Sequence, residues 1–137
     1  MPVVDASVVT DWVAPDVDLS GPAGQLLARL AAAGTPLYAP ALLLLEVGNA
    51  LLTGCRRGRW DGVAADRAYD RLRRMPISLA DTAADRDRAW DLSRRHDEHP
   101  IYDMVYVALA ERLHDQLYTS DAGLQRRLPL VDFVIAV

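Results

Sequence analysis

Short apolar segments alternate with longer segments of helical periodicity along this chain, and this alternation limits the folds that it can adopt. Five short segments predict strands: Pro2–Asp5, Leu37–Ala39, Ile77–Leu79, Gln116–Thr119 and Val131–Val137. The intervening segments predict helices: Val8–Val13, Pro22–Ala33, Pro40–Leu52, Asp61–Arg74, Thr82–Arg95, Ile101–Glu111 and Ala122–Arg127. Strands that alternate with helices are typical of an α/β fold with a parallel sheet, in which right-handed crossovers place helices on both faces.

Several acidic residues stand at or near one edge of this predicted sheet. Asp5 ends the first predicted strand, and Asp121 follows the fourth after a single serine. In parallel sheets of this kind ligands bind beyond the carboxyl ends of the strands, so we expect these two acids near one such site. Asp103 lies in the first turn of the helix that precedes the fourth strand, and we expect it near the same edge.

Two of the acidic residues also have purely structural explanations. Asp103 can complement the positive end of its own helix dipole, as many first-turn acids do. Glu46 lies in a strongly apolar helix, where a carboxylate is rarely buried without a partner. It can equally face solvent on a polar stripe with Asn49, one turn further on. The pattern alone leaves both explanations open for each residue.

A convergence of Asp5, Glu46, Asp103 and Asp121 would need a neutralising partner. Two carboxylates about 4 Å apart repel each other by about 4 kcal/mol at an effective dielectric constant of ~20. Protonation or a cation relieves this repulsion, and Mg²⁺ or Mn²⁺ suits oxygen ligands while keeping waters that phosphate oxygens can replace. Such an ion can activate water and neutralise charge on a phosphodiester during in-line attack.

The size and composition predict one cytoplasmic domain, residues 1–137. A length of 137 residues suits a single core, and 51% apolar residues are too many for a disordered chain. The charge-free stretch 30–45 is interrupted by a glycine and two prolines, so we expect no membrane span. The N-terminus has no basic region and therefore predicts no signal peptide. A lone cysteine, Cys55, fits a reducing compartment.

The basic residues exclude two further kinds of chemistry. All 15 are arginines, so neither the lysine-containing phosphate-binding loop nor a Schiff-base lysine is present. The net charge of −4 argues against a uniformly basic nucleic-acid binder. Local arginine clusters, such as Arg56 with Arg57 and Arg59, can still contact RNA phosphates.

Four segments in this order and spacing carry a family resemblance. They are Val4–Val8, then Glu46 with Asn49 and Leu52, then Tyr102–Ala110, and finally Thr119–Asp121. Together they resemble the PIN domain and, within that family, the VapC-type toxins of type II toxin–antitoxin systems. The resemblance implies a three-layer α/β/α domain with a parallel central sheet of about five strands.

The same resemblance implies a function and a site. It implies an Mg²⁺- or Mn²⁺-dependent endoribonuclease that acts as a toxin, forms a homodimer and is inhibited by a small antitoxin protein. The catalytic and metal-binding acids would be Asp5, Glu46, Asp103 and Asp121. The polar residues around them would be Ser7, Asn49 and Thr119.

The main alternative is a non-catalytic module of the same fold that binds RNA or protein. The complete set of four acids speaks against it. A phosphohydrolase or receiver domain with an aspartyl phosphate at Asp5 is excluded by the missing lysine. A zinc site at His96 and His99 lacks the expected ligand spacing, so we expect these histidines to lie in a solvated loop.

Three smaller expectations concern helix capping and side-chain packing. Ser7 is predicted to cap the first helix. Trp12, Trp60 and Trp90 are predicted to be packing residues or interface contacts. In the helix Thr82–Arg95, the residues expected in the core are Ala83, Ala89, Trp90 and Leu92.

Overall fold

The computed structural model describes all residues, 1–137, and contains one five-stranded parallel sheet. The strands are β1 (Val3–Val4), β2 (Leu37–Ala39), β3 (Ile77–Leu79), β4 (Leu117–Thr119) and β5 (Val134–Ala136). The helices are α1 (Ala6–Val13), α2 (Pro22–Ala32), α3 (Leu42–Arg56), α4 (Gly62–Arg74), α5 (Ala83–Arg95), α6 (Ile101–Leu113) and α7 (Ala122–Arg127). The predicted α/β fold with a parallel sheet of about five strands is confirmed. No helix combines the length and apolar character that a bilayer span requires.

The strand order β3-β2-β1-β4-β5 creates a switch point at the centre of the sheet. From β1 the chain first builds outward through β2 to β3, and it then returns to add β4 and β5 on the other side. Right-handed crossovers therefore place α1–α4 on one face and α5–α7 on the other. The connections diverge between β1 and β4, which opens a crevice beyond the carboxyl ends of these two strands.

Helix α6 is the most deeply buried helix of the fold. Seven consecutive residues, Met104–Ala110, are buried, as expected for a helix that is apolar on all sides. It packs against α5 and against the central strands β1 and β4. The first turn of α6 is less buried, so the helix presents Asp103 at the edge of the core.

A buried ion pair fixes α6 against α5. Asp85, whose side chain is only 3% exposed, accepts two hydrogen bonds from the Arg112 guanidinium, at 2.8 and 2.9 Å. Arg112 also donates to the carbonyl of Ala80. Burial alone would raise the pKa of Asp85, but hydrogen bonds from Arg112 and Thr82 outweigh it and lower the pKa. A second bidentate pair, Arg88 with Glu111, lies at the surface of the same two helices.

Three local predictions are wrong for physical reasons. Helix α1 is capped by Asp5, whose side chain accepts from the amide of Val8, because the hydroxyl of Ser7 donates to Asp5 instead. Trp90 is 61% exposed and Ala83 is also exposed. Asp85 lies on the face of α5 that meets α6, where Arg112 neutralises it.

Candidate active site

The candidate active site lies at the carboxyl ends of β1 and β4, where the sheet order switches. Asp5 directly follows β1 and is 8% exposed. Thr119 is the last residue of β4 and is fully buried. Glu46 reaches this edge from α3, and Asp103 reaches it from the first turn of α6. Four separate elements therefore supply the site.

Hydroxyl groups hold Asp5 in place. Ser7 Oγ donates to Asp5 Oδ1 at 2.6 Å, and the amide of Val8 donates to the same oxygen at 3.2 Å. Ser7 Oγ accepts from the amide of Ser120 and lies 3.3 Å from Thr119 Oγ1. Either hydroxyl can be the donor in the contact between Ser7 and Thr119. Ser7 and Thr119 thus join the ends of β1 and β4 around the carboxylate.

Glu46 is held by Tyr106, a residue that the sequence analysis did not single out. Tyr106 is 2% exposed, and its hydroxyl donates to Glu46 Oε1 at 2.6 Å. Burial, reinforced by the negative charge of Glu46, raises the pKa of Tyr106, so the phenol stays protonated and remains a donor. Tyr106 follows Asp103 by three residues, and this helical spacing could have indicated a shared face of α6.

Asp5, Glu46 and Asp103 are close enough to perturb one another electrostatically, and we call them the carboxylate trio. Burial raises the pKa of Asp5, the charge of Asp103 adds to this, and hydrogen bonds from Ser7, Thr119 and Val8 oppose it. Burial also raises the pKa of Glu46, opposed by Tyr106 and reinforced by the charges of Asp103 and Asp5. Negative charge is therefore concentrated where the carboxylates are partly shielded from water, and a bound cation would relieve the repulsion between them.

Asp121 and Asn49 are placed differently from the trio. The Asp121 side chain caps α7, where it accepts from the amides of Gly123 and Leu124, and it lies 3.5 Å from Arg127. Only its backbone meets the site, since its amide donates to Thr119 Oγ1 at 2.9 Å. Asn49 is exposed on α3, and its side chain forms no hydrogen bond.

The side chains are not preassembled as metal ligands. No three His, Cys, Asp or Glu side chains of the protein are grouped closely enough to hold a metal ion. The acids instead make hydrogen bonds with their own neighbours: Asp5 with Ser7, Glu46 with Tyr106, Asp103 with His99 and Asp121 with the start of α7. The oxygen donors suit a hard divalent cation, and Asp121 would have to turn away from the start of α7 to join the other three acids.

His99 differs from its expected position in a solvated loop. Its side chain is only 10% exposed, and Nε2 lies 2.6 Å from Asp103 Oδ2. The expectation of a solvated loop is therefore wrong for this residue. The four-residue separation between His99 and Asp103 was a visible signal, but the intervening Pro100 obscured it.

A substitution of Glu46 should show, through the pH dependence of stability, whether the pKa of this residue is raised in the folded protein. The pKa of Glu46 in the folded protein lies above its usual 4.5, so folding is disfavoured increasingly as the pH rises from that value through the raised pKa. Glu46→Gln removes this titration and can still accept from Tyr106. We expect the melting temperature of the variant, minus that of the wild type, to grow over this window and then level off.

Thermal unfolding in a chelating buffer, from acidic to neutral pH, measures this difference. Asp87→Asn, a change at an exposed position on α5, is the matched control for the removal of one negative charge outside the site. A constant difference for Glu46→Gln would contradict the raised pKa.

A parallel α/β sheet with desolvated carboxylates at its central switch point defines the protein as an α/β protein with an acidic site. The sequence profile of the PIN domain matches residues 3–128, and the chain belongs to the PIN-domain family. It is 33% identical over 127 residues to Ribonuclease VapC3 of Mycobacterium tuberculosis, a match that covers 93% of this chain and 87% of that relative. The chain is thus homologous to VapC ribonucleases, and the predicted resemblance is confirmed.

Solved structures agree with the fold. The crystal structure of VapC20 of Mycobacterium tuberculosis, described as a toxin that cleaves the sarcin-ricin loop, is similar with a TM-score of 0.67 and 22% identity. It matches 92% of this chain and 94% of that one. The PAE2754 protein of Pyrobaculum aerophilum has a TM-score of 0.73 and 24% identity, over 99% of this chain and 90% of that one. At these identities the likeness shows a common fold.

Proposed function

We propose that this protein is a metal-dependent endoribonuclease that acts as the toxin of a type II toxin–antitoxin module in the cytoplasm. The observation that carries the proposal is the carboxylate trio at the switch point of the sheet. Near-full-length similarity to Ribonuclease VapC3 supports RNA as the substrate. The same relationship supports a cognate antitoxin as a partner, and the proposal includes a homodimer.

Asp5, Glu46 and Asp103 are the residues that would hold Mg²⁺ or Mn²⁺. Asp121 would join them if its side chain turned away from the start of α7. When bound, the ion would neutralise phosphate charge and lower the pKa of water. The raised pKa values of Asp5 and Glu46 support this assignment, because adjacent carboxylates in a desolvated place suit a cation.

Side chains of the protein would orient the metal ligands and accept a proton from water. Ser7 and Thr119 fix the Asp5 carboxylate in one orientation. This carboxylate would therefore lose little conformational freedom when it binds the ion. Tyr106 occupies Glu46 Oε1, so Oε2 is the atom free to accept a proton from water. A carboxylate with one free oxygen beside the bound water would suit a general base. Asn49, exposed on α3 one turn beyond Glu46, would contact the RNA or the water around the site.

One observation favours the alternative of a non-catalytic RNA- or protein-binding module. The four acids are engaged by neighbouring groups, and Asp121 faces Arg127. If these contacts were permanent, the site could not coordinate an ion. Binding of Mn²⁺ at neutral pH distinguishes the two functions.

The test combines metal binding with RNA cleavage by the purified protein. We expect calorimetry to show Mn²⁺ binding at neutral pH. We also expect cleavage of RNA that requires Mg²⁺ or Mn²⁺, stops when a chelator is added and resumes when excess metal is restored. Absence of both metal binding and cleavage would contradict the enzyme and favour the binding module.

A further inference from the structure

The loop between α5 and α6 brings a histidine against one of the acids of the site. His99 Nε2 lies 2.6 Å from Asp103 Oδ2, and the imidazole is only 10% exposed, whereas the Asp103 side chain is 39% exposed. A carboxylate can only accept, so Nε2 carries the hydrogen and donates it. This contact occupies Oδ2 and leaves Oδ1 of Asp103 without a hydrogen-bond partner.

The backbone of this loop adopts an uncommon conformation just before His99, the residue that contacts Asp103. Asp97 and Glu98 have φ values of 55° and 52°, consecutive left-handed residues of which neither is glycine. Such conformations are costly and persist only where surrounding contacts impose them, and they concentrate at functional sites. Here Arg94 holds Glu98 at 2.9 Å, and the amide of His99 donates to the carbonyl of His96.

The start of α6 explains why Asp103 needs a partner. The helix begins after Pro100 and has no side-chain cap, so the amides of its first turn lack intrahelical acceptors. Asp103 is the third residue of this turn. A carboxylate at that position is attracted to these free amides and to the positive end of the helix dipole. No amide of this turn donates to Asp103, and Oδ2 is paired with His99 instead.

We propose that His99 is a positioning residue that orients the Asp103 carboxylate for metal binding. The proposal rests on the function proposed above, in which Asp103 is a metal ligand. Carboxylates that bind metals are commonly oriented by hydrogen bonds from groups that do not touch the ion. His99 has this role through Asp103: it fixes Oδ2 and leaves Oδ1 available to the cation.

Two substitutions separate orientation from packing. His99→Leu fills a similar volume but has no donor, whereas His99→Gln places an amide N–H near the position of Nε2. We expect Mn²⁺ affinity, measured by calorimetry without RNA, to fall about 10- to 100-fold in His99→Leu, the usual effect of removing such a partner. His99→Gln should recover most of this loss, even if both variants lower the melting temperature.

The neighbouring imidazole provides a matched control. His96 Nδ1 contacts the carbonyl of Leu92, and His96 touches none of the acids of the site. His96→Leu should therefore leave Mn²⁺ affinity close to that of the wild type. If His96→Leu weakened binding as much as His99→Leu, loop integrity would explain the effect and the positioning role would be wrong.

Pulsed electron paramagnetic resonance of bound Mn²⁺ supplies a readout that packing cannot change. We expect no strong coupling to a directly coordinated imidazole nitrogen in the wild type, and such a coupling would make His99 a ligand and overturn the proposal. Equal affinities in wild type and His99→Leu would also overturn it while leaving the proposed function intact. A wild type that neither binds Mn²⁺ nor cleaves RNA would instead refute the proposed function, and the positioning role with it.

Discussion

Replacing Asp5 with asparagine is expected to reduce metal-dependent RNA cleavage by more than about 100-fold, because removal even of partners that only orient metal ligands costs about 10- to 100-fold. Asparagine retains the shape of Asp5 and an oxygen that can accept from Ser7 and Val8. It is also a good N-terminal cap, so α1 should still begin at Ala6. The variant therefore removes a charge with little change of structure.

The stability of this variant should move in the opposite direction to its activity. Burial and the charge of Asp103 raise the pKa of Asp5, which means that its ionised form is disfavoured in the folded protein. The neutral asparagine side chain lacks this penalty, so the metal-free variant should melt at the same temperature as the wild type or above it at neutral pH. A large drop in melting temperature would show that the loss of cleavage reflects misfolding.

The controls for Asp5→Asn address specificity and contamination. Asp87→Asn removes an exposed acid from α5 and should retain full activity. Cleavage that persists after a chelator is added reports contaminating ribonuclease, because metal-dependent cleavage stops when the metal is removed. If Asp5→Asn cleaved RNA as fast as the wild type does, the proposed metal role of Asp5 would be contradicted.

Removing Arg112 is expected to have the largest effect on stability. Arg112→Met keeps the apolar stem of the side chain but leaves the buried Asp85 carboxylate without its bidentate partner. Breaking a buried pair in this way costs about 3 kcal/mol, the lower end of the usual range because Arg112 is itself partly exposed. For a domain of this size we expect the melting temperature to fall by roughly 10 °C.

Arg88→Met is the matched control on the same pair of helices. Arg88 also makes a bidentate contact, with Glu111, but both side chains are more than one-third exposed. Solvent screens such pairs, so this substitution should cost less than about 1 kcal/mol. If the two variants lost the same amount of stability, burial would not be what determines how much each ion pair contributes to stability.

Acidification should distinguish the Arg112 variant further. The pKa of Asp85 lies below its usual 3.8 in the folded wild type, so its stabilising pair is complete above that value and is lost as the pH falls through the lowered pKa. Protonated Asp85 no longer needs a cationic partner. The difference in melting temperature between wild type and Arg112→Met should therefore shrink at strongly acidic pH.

Alternating apolar segments were sufficient to predict the fold. The strands are short, and each of the first four is followed by a helical segment, so local pattern and handedness together determine a parallel sheet with helices on both faces. The positions of Asp5 and Asp121 just after predicted strands likewise follow from the sequence. Element ends were less certain: α3 continues to Arg56, beyond the predicted Leu52, because no proline or capping residue ends it earlier.

The sequence by itself placed Asp5 and Asp121 at one edge of a parallel sheet, because strand ends follow from local periodicity. Only the tertiary structure decided what each acid contacts. Tyr106 reaches Glu46 across 60 residues of sequence, and Arg112 neutralises Asp85 across 27. The Asp121 side chain caps α7, although its position just after β4 is the one expected of a fourth metal ligand. Side-chain direction depends on partners that are distant in sequence, and periodicity carries no information about them.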